Sequence, residues 1–146
     1  MASLKKTQKD KIIKPLKAFF QDRDEVLMAF LFGSRARGTS CRESDVDIAV
    51  YFTPREKRIE IEELASKFKV EDEIWSELEK ILKKDVDLVV LNRASVTVAD
   101  LALKGIPILI KDRKTYLHFM LRVSRQASDL RELIKDYWRL KESMHS

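Results

Sequence analysis

The chain has 146 residues, 45% hydrophobic and 36% charged, enough for one core and too few for two, so a single domain over 1–146 is expected. No apolar run approaches the roughly 18 residues of a membrane span, and the N-terminus lacks the apolar stretch and cleavage site of a secretory signal. The lone Cys41 excludes an internal disulfide, argues for a reducing, cytoplasmic setting and, with only His118 and His145 beside it, argues against structural zinc. The net charge of +5 sits in residues 1–20, where six lysines face one acid, Asp10; the remainder is balanced. A solvated helix face is the simpler reading of those lysines, since no aromatics interleave them as a base-stacking platform requires. RNA is therefore the lesser expectation as a partner, and no membrane is expected.

In chain order, Ser3 is the predicted cap of a helix reaching about Gln21, with Ile12, Ile13, Leu16, Phe19 and Phe20 at helical spacing. Pro15 lies inside it and predicts a kink or a later start. Val26 to Phe32 is a short unbroken apolar run closed by Gly33, a buried strand. Ser34 to Thr39 reads as a short helix or turn. Asp45 to Phe52 reads as a second strand, with Asp45 and Asp47 on one face and Val46, Ile48 and Val50 on the other.

Beyond Pro54, residues 55–84 carry a helical pattern, with a break expected near Val70. Ile59, Ile61, Leu64, Phe68, Ile74, Trp75, Leu78, Ile81 and Leu82 are its candidate core. Val86 to Leu91 is a third strand. Ser95 caps a short helix through Leu103, Gly105 ends it, and Ile106 to Ile110 is a fourth strand whose Pro107 favours a sheet edge. The last helix, about 113–142, carries Tyr116, Met120, Val123, Ala127, Leu130, Ile134 and Tyr137 in a heptad-like seam. Packing on its own domain, against the N-terminal helix, is the plainer expectation. A share of the face given to a partner chain is the sharper one, because the stripe outruns a four-stranded sheet.

The chemistry concentrates in Gly33-Ser34, ten intervening residues, then Asp45-Val46-Asp47. Two of only three glycines, Gly33 and Gly38, fall here. A glycine turn opening a helix cradles phosphate on backbone N–H groups, and Gly33 lets the chain approach a ligand without a Cβ. The Ser34 hydroxyl and a nearby arginine, Arg37 before Arg35 or Arg42, add bonds to phosphate. Asp87 stands alone in an apolar strand, and a buried carboxylate needs a partner or a metal. If that strand neighbours Asp45 and Asp47, the three acids suit two Mg²⁺ ions about 3.5–4 Å apart beside a nucleotide triphosphate. Asp45 and Asp47 would bridge the ions, and Asp87 would hold the one near the attacking group. The implied reaction is in-line attack on the α-phosphate with loss of pyrophosphate. No Gly-Lys-Ser/Thr follows, so this is not a Walker loop, and Cys41 between the two halves reads as incidental.

These residues resemble the DNA polymerase β-type nucleotidyltransferase superfamily, whose signature is Gly-Ser, a spacer, Asp-x-Asp and a third acid on a later strand. The likeness is greater to minimal nucleotidyltransferases, the MntA-type antitoxins paired with HEPN toxins. Gly33, Ser34, Ala36, Arg37, Gly38, Ser44, Asp45, Asp47 and Val86 to Val89 carry it, within a core of about 26–111. The resemblance implies an α/β (α+β) fold, a mixed sheet of about four strands flanked by helices. It implies ATP as donor and AMP transfer to a tyrosine of a HEPN-type toxin, held in a hetero-oligomer. The chain has no room for a separate acceptor-binding domain, which disfavours a small-molecule or RNA 3′-end acceptor. A binding-only antitoxin with dispensable carboxylates is the remaining alternative. Arg113 and His118 also resemble the Arg-x4-His ribonuclease motif of HEPN toxins, but Met120 stands where that motif has tyrosine.

Overall fold

The computed structural model describes residues 2–33, 45–53 and 61–144, with side chains from 11–33, 45–53 and 69–144. The elements run α1 (Ala2–Gln21), β1 (Val26–Phe32), β2 (Val46–Phe52), α2 (Ile61–Leu82), β3 (Val86–Val90), a 3-10 turn (Leu91–Arg93), α3 (Val96–Leu103), β4 (Ile106–Ile110) and α4 (Arg113–Met144). The sheet order is β3-β2-β1-β4. β2 and β3 are parallel, while β1 is antiparallel to both β2 and β4. This is the mixed four-stranded α/β arrangement expected, and Pro107 lies on an edge strand as its missing N–H requires. Among the described residues, no helix is long and apolar enough to cross a membrane.

Helices cover both faces of the sheet. On one face, Leu16 and Phe20 of α1 and Ile74 and Leu78 of α2 pack on Val46, Ile48 and Val50 of β2 and Val86 of β3, all buried. On the other, Ala99 and Ala102 of α3 and Phe119 and Val123 of α4 pack on Met28, Phe30 and Ala49. Among the described residues the first and last helices therefore pack on opposite faces of the sheet rather than on each other as expected. β1 changes register between Val26 and Met28, a bulge that sends Val26 to the first face and Met28 to the second.

Local chemistry explains most boundaries. α1 continues through Pro15; the ring removes one hydrogen bond, and its would-be acceptor belongs to Lys11, which is exposed to solvent. Ser95 caps α3, its hydroxyl accepting from Val98 N at 3.3 Å. Past β3, Asn92 imitates a strand: its amide oxygen accepts from Phe52 N and its amide nitrogen donates to Phe52 O, each at 2.9 Å. Two arginines fasten α2. Arg93 meets Glu71 with both ends of its fork at 2.6 Å, and Arg23 donates to Glu77 at 2.6 Å, each bond raising the guanidinium pKa.

α2 is continuous from Ile61 to Leu82, with no break at Val70. Trp75 and Ile81 are exposed rather than core. Trp75 instead donates its indole N–H to the Val86 carbonyl at 2.6 Å, closing the outer side of edge strand β3. In α4 the buried positions are Phe119, Val123 and Ala127, so Phe119 takes the place expected for Met120. From Ser128 to Met144 every residue is exposed. The 32-residue helix is about 48 Å long and outruns the sheet, leaving Leu130, Leu133, Ile134, Tyr137, Trp138 and Leu140 uncovered.

Candidate active site

β1 delivers the chain to Gly33, whose φ of 73° is left-handed and costs an L side chain roughly 1–2 kcal/mol. Phe32 pairs with Asp47 in the β1–β2 ladder. A Cβ built on Gly33 would collide with the Asp47 carboxylate. Glycine is thus required twice, by backbone conformation and by the space the carboxylate occupies. Gly105 has a similar role nearby, since a Cβ there would strike the Leu31 carbonyl and crowd Phe32.

The parallel β2–β3 ladder pairs Val46 with Val86 and Asp47 with Asp87. It opens with Val46 N donating to Asp85 O at 2.9 Å. Register partners on neighbouring strands, about 4.8 Å apart, point to the same face. The two valines enter the α1/α2 core. Asp47 and Asp87 lie on the opposite face, in the rows that continue through Ala49 and Val89 toward α3 and α4. Asp47 is half-buried. Asp87 is exposed, which corrects the argument that it is a buried charge in need of a partner. β3 is the edge strand, and its α3/α4-side face is not covered at residue 87. Asp45 precedes the first residue of β2 and is exposed, at the mouth of the same strand. Ser34, Arg37, the other loop arginines and Cys41 lie outside the described residues.

The donors are all carboxylate oxygens, the ligand type preferred by hard divalent cations. The missing Cβ at Gly33 leaves the space that the Asp47 carboxylate occupies. The residues present therefore fit a Mg²⁺-type ion. Among the described residues, no three His, Cys, Asp or Glu side chains are already gathered around one point. What the fold fixes is the Asp47–Asp87 pair. Asp45 lies outside the ladder that would pin it. The motif reading did not anticipate a cluster at the far end of β2, where Tyr51 lines a cleft with Lys114, His118 and Arg122 of α4. Its signal was the four-residue spacing of those three basic side chains, which sets them on one helix face.

Residues 14–114 match the family model described as polymerase beta, nucleotidyltransferase. No curated protein matches the chain significantly. Among solved structures, a chain from a toxin–antitoxin complex with AMP-PNP is 26% identical with a TM-score of 0.58, covering 89% of this chain and 98% of its own. A chain from a mutant MntA–HpeT toxin–antitoxin complex is 25% identical with a TM-score of 0.60, covering 86% and 95%. A chain from the Shewanella oneidensis complex of a tri-AMPylated HEPN toxin with MNT antitoxin is 20% identical with a TM-score of 0.58, covering 88% and 96%, and shares the fold. The family match spans most of the chain and includes Gly33, Asp45, Asp47 and Asp87; the protein belongs to the polymerase β-type nucleotidyltransferases.

Proposed function

We propose that this chain transfers AMP from ATP to a HEPN-type toxin and acts as its antitoxin. The observation that carries the reading is the β2–β3 register, in which Asp47 and Asp87 are partners beside the Gly33 turn. Membership of the nucleotidyltransferase family supports the reaction type. Likeness to chains from toxin–antitoxin complexes, one with AMP-PNP and one with a tri-AMPylated toxin, supports donor and acceptor.

In this reading Gly33 and Ser34 bind the β- and γ-phosphates through backbone N–H groups, with Arg37 adding charge. Asp45, Asp47 and Asp87 would hold Mg²⁺, which would supply charge neutralisation on the triphosphate. Asp87, exposed on the edge strand, takes up the proton of the attacking tyrosine hydroxyl. The tyrosine oxygen bonds to the α-phosphorus, the bond from that phosphorus to the bridging oxygen breaks, and pyrophosphate leaves. Most of the rate enhancement comes from orientation and charge compensation.

The acceptor has to be brought by the partner. The uncovered stripe of α4 from Leu130 to Leu140 is the surface that a helical toxin would bury. Labelled ATP incubated with the chain and a co-expressed HEPN partner tests the proposal. Label is expected on the partner with the wild-type chain and not with Asp45→Asn/Asp47→Asn. Neutralisation that survives in the double variant, with no label in either case, would favour a binding-only antitoxin.

A further inference from the structure

The face of the sheet that carries the carboxylate pair has a second chemically distinct end. Tyr51, four residues beyond Asp47 on β2, and the first three turns of α4 enclose a cleft of about 490 Å³ lined by Tyr51, Lys114, Thr115, His118, Phe119 and Arg122. Lys114, His118 and Arg122 recur every fourth residue and so line one side of the helix. The floor is aromatic. Phe119 is buried and its ring lies 5.1 Å from that of Tyr51, inclined at 57°. The Arg122 guanidinium lies 5.3 Å over the Phe119 ring, which holds the fork at the cleft wall.

The start of α4 is held in place by Asp112, which accepts from Lys114 N at 3.2 Å and from Thr115 Oγ1 at 2.7 Å. The Thr115 bond, with the backbone bonds and the Lys114 charge, keeps the Asp112 carboxyl below its ordinary range. Asp112, the nearest acid in sequence, is engaged by the helix terminus and does not line the cleft. Among the described residues, no carboxylate forms an ion pair with Lys114, His118 or Arg122. Lys114, His118 and Arg122 therefore line one cleft with no described carboxylate ion-paired to them, beside the positive end of a long helix. Arginine and lysine together suit an anion with several oxygens. The cleft is wider than one tetrahedral oxyanion needs, and the half-buried Tyr51 ring offers an apolar wall beside the cations.

We propose that this cleft binds the diphosphate group of a small ligand, separately from the carboxylate pair. The chemistry is shared by inorganic pyrophosphate and by a nucleoside diphosphate, and the ring of Tyr51 would distinguish them. Tyr51 lies about 13 Å along the strand from Asp47, so a diphosphate held here does not reach the carboxylates.

The test is calorimetric titration of the full-length chain with inorganic pyrophosphate and, separately, with ADP, in excess chelator so that no cation bridges ligand to carboxylate. Wild type, Asp45→Asn/Asp47→Asn and Lys114→Gln/Arg122→Gln are compared, with thermal melts to establish that each is folded. Wild type and the carboxylate variant are expected to bind saturably and alike, with binding weakened at least about tenfold in the Lys114/Arg122 variant. Equal affinity for both ligands assigns recognition to the diphosphate alone; tighter binding of ADP assigns a contact to the nucleoside. Lys114→Gln alone, which leaves Arg122 on Phe119, is expected to give a smaller loss in the same direction. The proposal is overturned if neither ligand saturates the wild type. It is equally overturned if the Lys114/Arg122 variant binds like wild type, or if binding disappears with the carboxylates.

Discussion

The two faces of the sheet use the same strands for opposite purposes. The α1/α2 face is sealed: Val46, Ile48 and Val50 are fully buried beneath Leu16, Phe20, Ile74 and Leu78. Among the described residues, the α3/α4 face is sealed only over β1 and the middle of β2, and is open at both ends. One end carries Asp47 and Asp87, the other Tyr51 and the basic row of α4. The contrast follows from strand alternation, because each β2 residue that leaves the first core enters the second face. A small domain can therefore reserve one face for stability and load chemistry onto the other without placing a charge in its core. Consistent with that, no charged or polar residue is buried among those described.

This contrast can be broken from the sealed side first. Phe20→Ala removes a fully buried ring and should cost about 3–5 kcal/mol in chemical denaturation. A cost below about 1 kcal/mol would mean that the α1/α2 face is not the main core. Gly33→Ala probes the boundary between the faces. It should destabilise by about 1–2 kcal/mol from backbone strain alone and should abolish AMP transfer, because the added methyl displaces the Asp47 carboxylate. Transfer at the wild-type rate would separate the glycine from the site. Ser95→Ala removes the cap of α3 on the open face and should cost about 1 kcal/mol, read as a lowered melting temperature.

The smallest effect on the monomer is expected at the end of α4. Leu130→Glu/Ile134→Glu should change stability by less than about 0.5 kcal/mol, since both residues are exposed. The same variant should weaken co-purification with the proposed HEPN-type partner. Unfolding of the isolated chain by this pair would assign the stripe to a core and remove it as a docking surface.

How far the chain could be read in advance varies along it for physical reasons. β1 and β4 were legible to the residue because short apolar runs end at Gly33, or start after Gly105 and carry Pro107. α3 was legible through Ser95. The pairing of β2 with β3 was not, because register between strands some forty residues apart leaves no local trace. The exposure of Asp87 was missed for a related reason: an apolar run says a strand is packed, not which of its faces is covered. Trp75 read as core by spacing, yet its indole N–H finds the Val86 carbonyl at the sheet edge. In α4 the heptad seam predicted Met120, whereas the helix turns Phe119, Val123 and Ala127 inward. Of the site itself, the acids and Gly33 were legible as a motif. Their spatial relation came only from the ladder, and the Ser34–Ser44 half lies outside the described residues.

The central claim is that Asp87 works with Asp47 because the strands hold them as neighbours. It is tested most directly by Asp87→Asn, assayed for labelled AMP on the toxin partner beside a thermal melt. The account predicts a fall in transfer of at least about a hundredfold, in the range typical of a lost metal ligand or proton acceptor, with an unchanged melting temperature because the residue is exposed. Transfer at the wild-type rate in a folded Asp87→Asn chain would contradict it.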